Sequence, residues 1–466
     1  MSEPAIPTAV QIPEDGSARA LERRRVGLWA VIALLMISAF LLVKIIFRLP
    51  DSSNTLYAYG VAVTGVAALQ ISVAFLRYRD PAFKGTRLSP NGAPLFVSAL
   101  VAVHNEEEVV EICIRSMVQQ TYPHMEIIVV DDASTDGTAS VLAELAKTLP
   151  IRVVSLADNV GKKKALAAGM LVAKGDLFAF TDSDSTWARN AVARCVSIFE
   201  ANPDVGAVSG HCRAMNADKN LLTRIQDTWY EGQFSVRKAF ESHFGAVTCV
   251  SGPLAVFRRA AVYNYVPAWE KDRFLGQEFR FATDRMMTGF VLMDERHAKK
   301  VRKVAEGTAF AEPAFPHQKW RTIYCKSARS LTVVPDSMRS MIKQQVRWKK
   351  SFIRNLFFTG AFYWKRPFLT ALVYYLHVLF VLAGPLIAFR HVIYMPLHGS
   401  YESMFLYLAG ITLIGTVFGA AFRAEDPDGG YRWYYRPLMS LFSTLVLTWL
   451  IAYSVVTLRK MTWSRG

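Results

Sequence analysis

The sequence predicts a mostly parallel α/β domain inserted between helices that cross a membrane. Two observations lead to this prediction. Short β-rich runs alternate with helical stretches in the middle of the chain, and apolar runs of membrane-spanning length lie on both sides of that region. The composition agrees, because 52% of the 466 residues are hydrophobic and the mean hydropathy is +0.20. These values are too apolar for an ordinary soluble protein, and the chain is too long for one ordinary domain.

The charge and the cysteines narrow the functional class. The net charge of +16, from 54 basic and 38 acidic residues, suits an anionic lipid leaflet or an anionic nucleotide substrate. We expect no nucleic-acid partner, because the Lys and Arg residues form no run with interleaved aromatic residues. The cysteines show no CxxC spacing and are predicted to be reduced structural thiols in the cytosol. They are Cys113, Cys195, Cys212, Cys249 and Cys325.

The N-terminal part of the chain predicts a cytosolic tail and two membrane helices. Residues 1–22 are polar and are predicted to be disordered. Two apolar runs follow within residues 23–80, and each is long enough to cross a bilayer. Basic residues precede the first run and follow the second, which predicts that both ends and the domain after them face the cytosol of a plasma-membrane protein. These basic residues are Arg23, Arg24, Arg25, Arg77 and Arg79.

The C-terminal part, residues 367–458, predicts further membrane helices. Its three apolar runs cover about 368–389, 404–422 and 437–458. The connection 391–402 contains no Lys or Arg and is expected outside the cell. An odd total of spans would put the basic tail 459–466 outside as well, against the same charge bias. Either one run is re-entrant or interfacial, or the number of spans differs from five.

The central region, residues 81–335, predicts a parallel sheet with its ligands at one edge. Strand and helix patterns alternate there, and ligands bind such sheets at the carboxyl ends of the strands. The predicted strands are 95–103, 126–130, 151–155 and 177–181, and the predicted helices are 106–120, 133–147 and 163–173. Acidic pairs occur where the second and fourth of these strands end, which predicts a binding site at that edge.

The segment 131–137, with the sequence DDASTDG, suits nucleotide binding. Helix capping and a turn explain one of its carboxylates but not three within six residues. A nucleotide base and its ribose need hydrogen-bond acceptors at such a strand end. The segment 161–164, with the sequence GKKK, is either a solvated basic helix start or a contact for a phosphate or the edge of a uracil.

Three further motifs suit sugar transfer from a nucleotide. Asp182 and Asp184, spaced i, i+2, can present two oxygens to one hard cation that holds a diphosphate. A separate Asp284 can take a proton from a hydroxyl nucleophile. The segment 344–348 (QQVRW), within predicted interfacial helices at 336–366, offers an Arg and a Trp to clamp an anion or a sugar. The alternatives are a polar turn, an exposed Asp284–Arg285 ion pair and a Trp anchored at the membrane surface.

Together these segments resemble the inverting family-2 glycosyltransferases of GT-A fold. The resemblance rests on residues 101–106 (VAVHNE), the DDASTDGT block, the DSD motif and QQVRW, and it extends to the processive membrane synthases of hyaluronan, chitin, chitin oligosaccharides and cellulose. Residues 251–259 (SGPLAVFRR), 274–276 (FLG) and 344–352 (QQVRWKKSF) favour the hyaluronan synthases. Two departures are Thr283, where those enzymes have a second Asp, and Trp463-Ser464-Arg465 in place of Trp-Gly-Thr.

The resemblance implies a nucleotide site with a metal ion. Asp131 or Asp132 would hold the uridine, with Lys164 near it. Asp182 and Asp184 would bind the nucleotide and a Mn2+ or Mg2+ ion, with Asp184 as the more direct metal ligand.

It also implies a catalytic base and an acceptor site. Asp284 would deprotonate the acceptor hydroxyl. Gln344, Arg347 and Trp348 would bind the diphosphate and the acceptor sugar, and the Ser251–Gly252 pair would line the acceptor pocket.

The implied activity is the polymerisation of UDP-sugars into an exported β-linked polysaccharide. UDP-N-acetylglucosamine together with UDP-glucuronic acid, giving hyaluronan, is the expected substrate pair, with the growing polysaccharide and membrane lipids as further partners. A chitin-like or cellulose-like synthase, a non-processive enzyme that glycosylates a lipid carrier and a catalytically silent binding or export subunit are the alternatives.

Overall fold

The structure is a computed structural model that describes residues 16–46, 54–83, 93–425 and 432–460, with side chains from residue 27 onward. Residues 1–15 of the predicted disordered tail lie outside this part of the chain, and its remainder forms the start of the first helix. Most of the basic tail 459–466 also lies outside the described residues.

In the part of the chain that the structure describes, eight strands form one mostly parallel sheet, as predicted. Their order is β3-β2-β1-β4-β7-β6-β10-β5, and β3, β2, β1 and β4 pair in parallel. Only β7 and β5 run antiparallel to their neighbours, and a separate hairpin joins β8 to β9. The strands are β1 (Val97–Val103), β2 (Met125–Asp131), β3 (Ile151–Ser155), β4 (Leu177–Thr181), β5 (Ser185–Trp187), β6 (Val205–Ala214), β7 (Ala255–Arg258), β8 (Arg273–Phe274), β9 (Gln277–Glu278) and β10 (Arg321–Thr332).

Both faces of the sheet are covered, which explains its continuous apolar strands. Successive residues of β1 point to opposite faces of the sheet, so Leu100 packs in one core and Val101 in the other. A strand that is buried on both faces needs no polar side. The four strands predicted from such runs are therefore confirmed, with shifts of no more than two residues at their ends.

Helices pack against the sheet and continue into the membrane region. They are α1 (Gly16–Ile46), α2 (Asn54–Leu76), α3 (Val110–Val118), α4 (Thr138–Thr148), α5 (Lys162–Val172), α6 (Ala191–Ala201), α7 (Leu221–Glu231), α8 (Ala239–His243), α9 (Arg259–Val262), α10 (Val266–Glu270), α11 (Thr283–Leu292), α12 (Glu295–Arg302), α13 (Met338–Phe358), α14 (Phe368–Phe389), α15 (Met395–Leu397), α16 (Tyr401–Glu425), α17 (Tyr435–Phe442) and α18 (Leu450–Val456).

Two predicted helices begin later than expected. The helices predicted at 106–120 and 133–147 start only at Val110 and Thr138. Asn105 and Ala133 adopt left-handed backbone angles, with φ of 55° and 54°, and each lies two residues after the end of its strand, β1 or β2. The two loops then bond to each other, since the Glu106 N–H donates to Thr138 Oγ1 at 2.8 Å. This bond between distant segments keeps both loops out of the helices.

Five helical segments in the described residues are long and apolar enough to cross a membrane, as expected for a membrane protein. They are Gly27–Ile46, Asn54–Phe83, Phe368–Leu397, Tyr401–Ala424 and Arg432–Val456. The third extends further than predicted, so most of the expected outer connection 391–402 is helical. A π-helical turn interrupts the fifth at Ser443–Leu447.

Two helical elements connect the sheet to the membrane helices. A π-helical turn, Gly232–Lys238, joins α7 to α8, so that Leu221–His243 is one helical segment that contacts α2 and α16. The amphipathic α13 packs against α11 and α18. Both elements border the site described next.

Candidate active site

A cavity of about 330 Å3 lies at the carboxyl end of β4. The segment Leu221–His243 and the helices α11 and α13 form its other walls. Most of the site residues predicted from the sequence line this cavity, although they come from distant parts of the chain. They are Asp182, Asp184, Ser251, Gly252, Asp284, Gln344, Arg347 and Trp348.

The carboxylates of Asp182 and Asp184 form an acidic pair directly after β4. Asp182 accepts an ion-paired hydrogen bond from Lys162 Nζ. Asp184 Oδ1 accepts hydrogen bonds from Ser185 Oγ and Thr332 Oγ1, both at 3.3 Å. Burial, and next the negative charge of Asp182, raise the pKa of Asp184 to about 6. A cation that binds this pair would relieve the repulsion between the two carboxylates.

The oxygen chemistry of this pair suits a hard divalent cation. Carboxylates are ligands of Mg2+ and Mn2+, and Mg2+ sites often use only one or two of them, with substrate phosphates and water completing the shell. Within the described residues, no group of three or more His, Cys, Asp or Glu side chains could hold a metal ion. A cation here would therefore need further oxygen ligands from water or a substrate.

Gly252 brings the main chain against the Asp182 carboxylate. A Cβ atom at residue 252 would lie 2.9 Å from Asp182 Oδ2 and 3.1 Å from Oδ1. Those separations are shorter than a normal contact, so a larger residue would displace the carboxylate. The predicted Ser251–Gly252 pair thus borders the acidic pair.

Asp284 lies in the first turn of α11 and faces the cavity. Its Oδ1 accepts from the Arg285 N–H at 2.8 Å, and its Oδ2 lies 3.4 Å from the thiol of Cys249. Thr288 donates to the Asp284 carbonyl at 2.8 Å and accepts from Val250 N at 2.9 Å, which ties this turn to the neighbouring loop. The Asp284 carboxylate therefore accepts few hydrogen bonds, and its oxygens can accept further ones from a ligand in the cavity.

One face of α13 contributes the residues of the QQVRW motif. Gln344, Arg347 and Trp348 are spaced i, i+3, i+4 and so lie together. Trp348 stacks on Trp229, with ring centroids 5.6 Å apart and planes at 18°. Burial lowers the pKa of Arg347, and the charges of Asp184 and then Asp182 oppose that effect. Gln344 Oε1 is buried without a hydrogen-bond partner among the described residues, so it can accept one from a ligand.

Three predicted site residues do not line this cavity. Asp131 Oδ1 accepts from Ser134 N at 3.1 Å within its own loop. Both oxygens of Asp132 accept from backbone N–H groups at 2.8 Å, those of residues 160 and 161. Lys164 Nζ forms an ion pair with Glu278 Oε1 at 3.0 Å.

Lys162, two residues earlier, is the lysine of the GKKK segment that lines the cavity. Gly161 has φ of 85° and begins the helix, so the position of α5 is set by a backbone angle that favours glycine. Two residues along a helix turn the side chain by about 200°. Lys162 and Lys164 therefore point in nearly opposite directions.

The sequence did not predict the contribution of the segment Leu221–His243. Its side chains line one whole wall of the cavity, and they are Trp229, Tyr230, Gln233, Phe234, Arg237, Lys238 and Glu241. Lys238 Nζ donates to Ser209 Oγ at 2.9 Å and to Ser251 Oγ, and burial lowers the pKa of Lys238 to about 8. The only signal in the sequence is a cluster of aromatic and basic residues, and π-helical turns recur at functional sites.

The chain is similar to several known proteins. Residues 98–266 match the family model described as glycosyl transferase family 2. A hyaluronan synthase from Streptococcus pyogenes serotype M6 is 26% identical over 445 residues, which is 92% of this chain and 96% of that protein. An N-acetylglucosaminyltransferase from Rhizobium meliloti is 30% identical over 311 residues, 66% of each chain. Hyaluronan synthase 3 from Xenopus laevis is 25% identical, covering 87% of this chain and 73% of that protein.

Among solved structures, a mannosyltransferase from Pyrobaculum calidifontis in complex with GDP-Man and Mn2+ is 21% identical, with a TM-score of 0.46, covering 88% of this chain and 100% of that one. The family match, the mostly parallel sheet and the full-length similarity to named synthases agree with one another. The chain is a family-2 glycosyltransferase of GT-A-like fold that resembles the hyaluronan synthases.

Proposed function

We propose that this enzyme transfers sugars from UDP-sugars to a growing β-linked polysaccharide. The observation that supports the proposal most is the meeting of Asp182, Asp184, Asp284, Arg347 and Trp348 at one cavity. Because relatives are named hyaluronan synthase and N-acetylglucosaminyltransferase, the substrates we propose are UDP-N-acetylglucosamine and UDP-glucuronic acid.

The donor would bind at the acidic pair. Asp182 and Asp184 would hold a Mn2+ or Mg2+ ion together with the diphosphate, with Asp184 as the more direct ligand. Lys162 and Arg347 lie beside these carboxylates and would offset the remaining negative charge of the diphosphate. When bound, the cation supplies charge stabilisation for the departing diphosphate.

The uridine would bind near β2. Asp132 holds the turn that precedes Lys162, because both of its oxygens accept from that turn. Asp132 would therefore shape the nucleotide site even without touching the nucleotide. Direct contact of Asp131, Asp132 or Lys164 with the uridine remains a prediction.

The acceptor would react beside Asp284. An acceptor hydroxyl would attack the anomeric carbon of the donor, forming the new glycosidic C–O bond. The bond from that carbon to the diphosphate would break, and its electron pair would leave with UDP. The hydroxyl proton would pass to Asp284, and an in-line attack on an α-linked donor would give a β-glycoside. The stacked rings of Trp348 and Trp229 would offer an aromatic wall to the acceptor sugar.

The product would leave through the membrane helices. Arg237 of the cavity wall lies 3.0 Å from His377 Nε2 on α14, so this cavity adjoins a membrane-spanning segment. A domain that faces the cytosol would meet UDP-sugars there, and α13 with its basic residues would rest on the anionic lipids of the plasma membrane. A cysteine introduced at 398–400 should react with an impermeant thiol reagent added outside intact cells. Labelling only after the cells are opened would contradict this orientation.

The experiment that tests the activity is UDP release and product sizing with purified protein in detergent. We expect a long polymer only when UDP-N-acetylglucosamine, UDP-glucuronic acid and Mn2+ or Mg2+ are all present. Polymer from the first sugar alone would indicate a chitin-type enzyme, and polymer from UDP-glucose alone a cellulose-like one. One sugar on a lipid carrier would indicate a non-processive enzyme. Undiminished turnover in EDTA would contradict the metal site.

A further inference from the structure

Arg285 presents an uncompensated positive charge to the cavity. It is half-buried and lines the cavity next to Asp284. Within the residues that the structure describes, its guanidinium has no hydrogen-bond or ion-pair partner. The Asp284 carboxylate bonds instead to the backbone N–H of residue 285 and faces Cys249. Because a partly desolvated cation is costly without a partner, such a group at a ligand cavity is suited to an anionic ligand.

The two arginines of the SGPLAVFRR segment, Arg258 and Arg259, have structural partners. Arg258 donates to the carbonyl oxygens of Val205 and Phe199, each at 3.0 Å. Arg259 donates to the carbonyl oxygen of Ala173 at 3.0 Å and lies 4.5 Å from the ring centroid of Tyr263. Neither arginine lines the cavity. Arg285 thus differs from Arg258 and Arg259, because it alone of the three lines the cavity.

The anion at Arg285 is not the donor diphosphate in this arrangement. Lys162 and Arg347 already lie beside the acidic pair, where the diphosphate would bind. Arg285 instead follows the proposed base, which must contact the acceptor hydroxyl. Another arginine of this cavity, Arg237, has partners, because it bonds to His377 and contacts Glu241 at 3.4 Å. Lys238 also lines the cavity, but its Nζ donates to Ser209 Oγ at 2.9 Å and to Ser251 Oγ. Among the cations that line the cavity in the described part of the chain, Arg285 is therefore the one placed to bind an anionic group of the acceptor.

We propose that Arg285 binds the carboxylate of a uronic acid unit at the end of the acceptor chain. In a uronic acid the carboxylate is attached to C5, and the C4 hydroxyl is on the adjacent ring carbon. If that hydroxyl is the nucleophile, the groups that contact the hydroxyl and the carboxylate must be close together, as the consecutive residues Asp284 and Arg285 are. A guanidinium binds a carboxylate through two parallel hydrogen bonds.

The proposed role of Arg285 rests on the proposed function. It would let the active site select its acceptor by charge. A uronate carboxylate beside Asp284 would repel that carboxylate, and Arg285 would offset the repulsion. A neutral hexose at the same position would leave the guanidinium unpaired. The enzyme should therefore add N-acetylglucosamine to a uronate-terminated chain in preference to a neutral one.

A matched pair of acceptors tests the proposal. One is a short oligosaccharide of N-acetylglucosamine and glucuronic acid with glucuronate at its non-reducing end, and the other is its glucuronate methyl ester. For the wild type, kcat/KM for transfer from UDP-N-acetylglucosamine should be at least about tenfold higher with the acid than with the ester. In Arg285→Met that ratio should fall close to one. Arg285→Lys should keep part of the ratio, because lysine supplies the positive charge but cannot form the two parallel hydrogen bonds of a guanidinium.

Arg259→Met is the matched control, because it removes an arginine outside the cavity and should keep the wild-type ratio. UDP binding checks that each variant is folded, and if Arg285→Met fails this check, the ratio for Arg285→Lys decides. Equal transfer to both acceptors by the wild type, or an unchanged ratio in the Arg285 variants, would overturn the inference while leaving sugar transfer intact. Transfer to neither acceptor by the wild type would contradict the proposed function itself, and the inference with it.

Discussion

Replacing Asp284 by Asn separates its proposed catalytic role from any structural one. The asparagine oxygen can still accept from the Arg285 N–H, which the carboxylate accepts at 2.8 Å. The lost contact is the weak one to the Cys249 thiol at 3.4 Å. The free energy of unfolding should therefore fall by no more than about 1 kcal/mol. An amide cannot take the proton of the acceptor hydroxyl, however.

Transfer should consequently fall by about 100-fold to 10,000-fold, the usual contribution of a general base, which corresponds to about 3 to 5 kcal/mol in the barrier. The assay is UDP release with saturating donor, alongside the affinity for UDP-N-acetylglucosamine, which should stay near the wild-type value. Asp204→Asn is the matched control, because Asp204 forms an exposed ion pair with Arg321 and lies outside the cavity. Turnover at the wild-type rate in Asp284→Asn would mean that another group is the base.

Three further predictions concern the donor site. Lys162→Met should weaken binding of a UDP-sugar at least about tenfold, since it removes the partner of Asp182. Lys164→Met should have little effect, because it removes only the exposed ion pair with Glu278. Equal losses of affinity for the two variants in a binding titration would contradict this difference. Because the pKa of Asp184 is raised to about 6, Mn2+ must displace a proton from Asp184 below that pH. The affinity for Mn2+, measured with UDP-N-acetylglucosamine present, should therefore fall about tenfold per pH unit below pH 6 and level off above it. An affinity that does not change with pH would argue against Asp184 as a ligand. Gly252→Ala would put a Cβ 2.9 Å from Asp182 Oδ2, so transfer should fall at least about tenfold with little change in Tm, and full activity would show that the carboxylate can move freely.

The sequence predicts the sheet well because its strands are defined locally. A continuous apolar run such as Leu177–Thr181 can be buried on both faces, and the acidic pair directly after it marks the binding edge. The predicted starts of α3 and α4 are wrong for a non-local reason. Their loops bond to each other through Glu106 and Thr138, 32 residues apart, and no local pattern contains that information.

The cavity shows the same division between local and non-local information. The acidic motifs and QQVRW carry chemistry that can be seen in the residues themselves. The choice of Lys162 over Lys164 depends on where α5 begins, which Gly161 determines through its positive φ. The wall formed by Leu221–His243 arises from packing between the sheet and the membrane helices, and no motif marks it. The positive-inside bias likewise does not predict the side of the C-terminus, since the five apolar helices found among the described residues leave the same conflict.

The most direct test of the proposed donor site is a structure of the protein with UDP and Mn2+ in which the anomalous signal of manganese is measured. We predict one manganese peak within bonding distance of an Asp184 oxygen and of the diphosphate, with Lys162 and Arg347 against the phosphate oxygens. A nucleotide bound away from the cavity that Asp184 and Asp284 share, or a metal with no contact to Asp184, would contradict it.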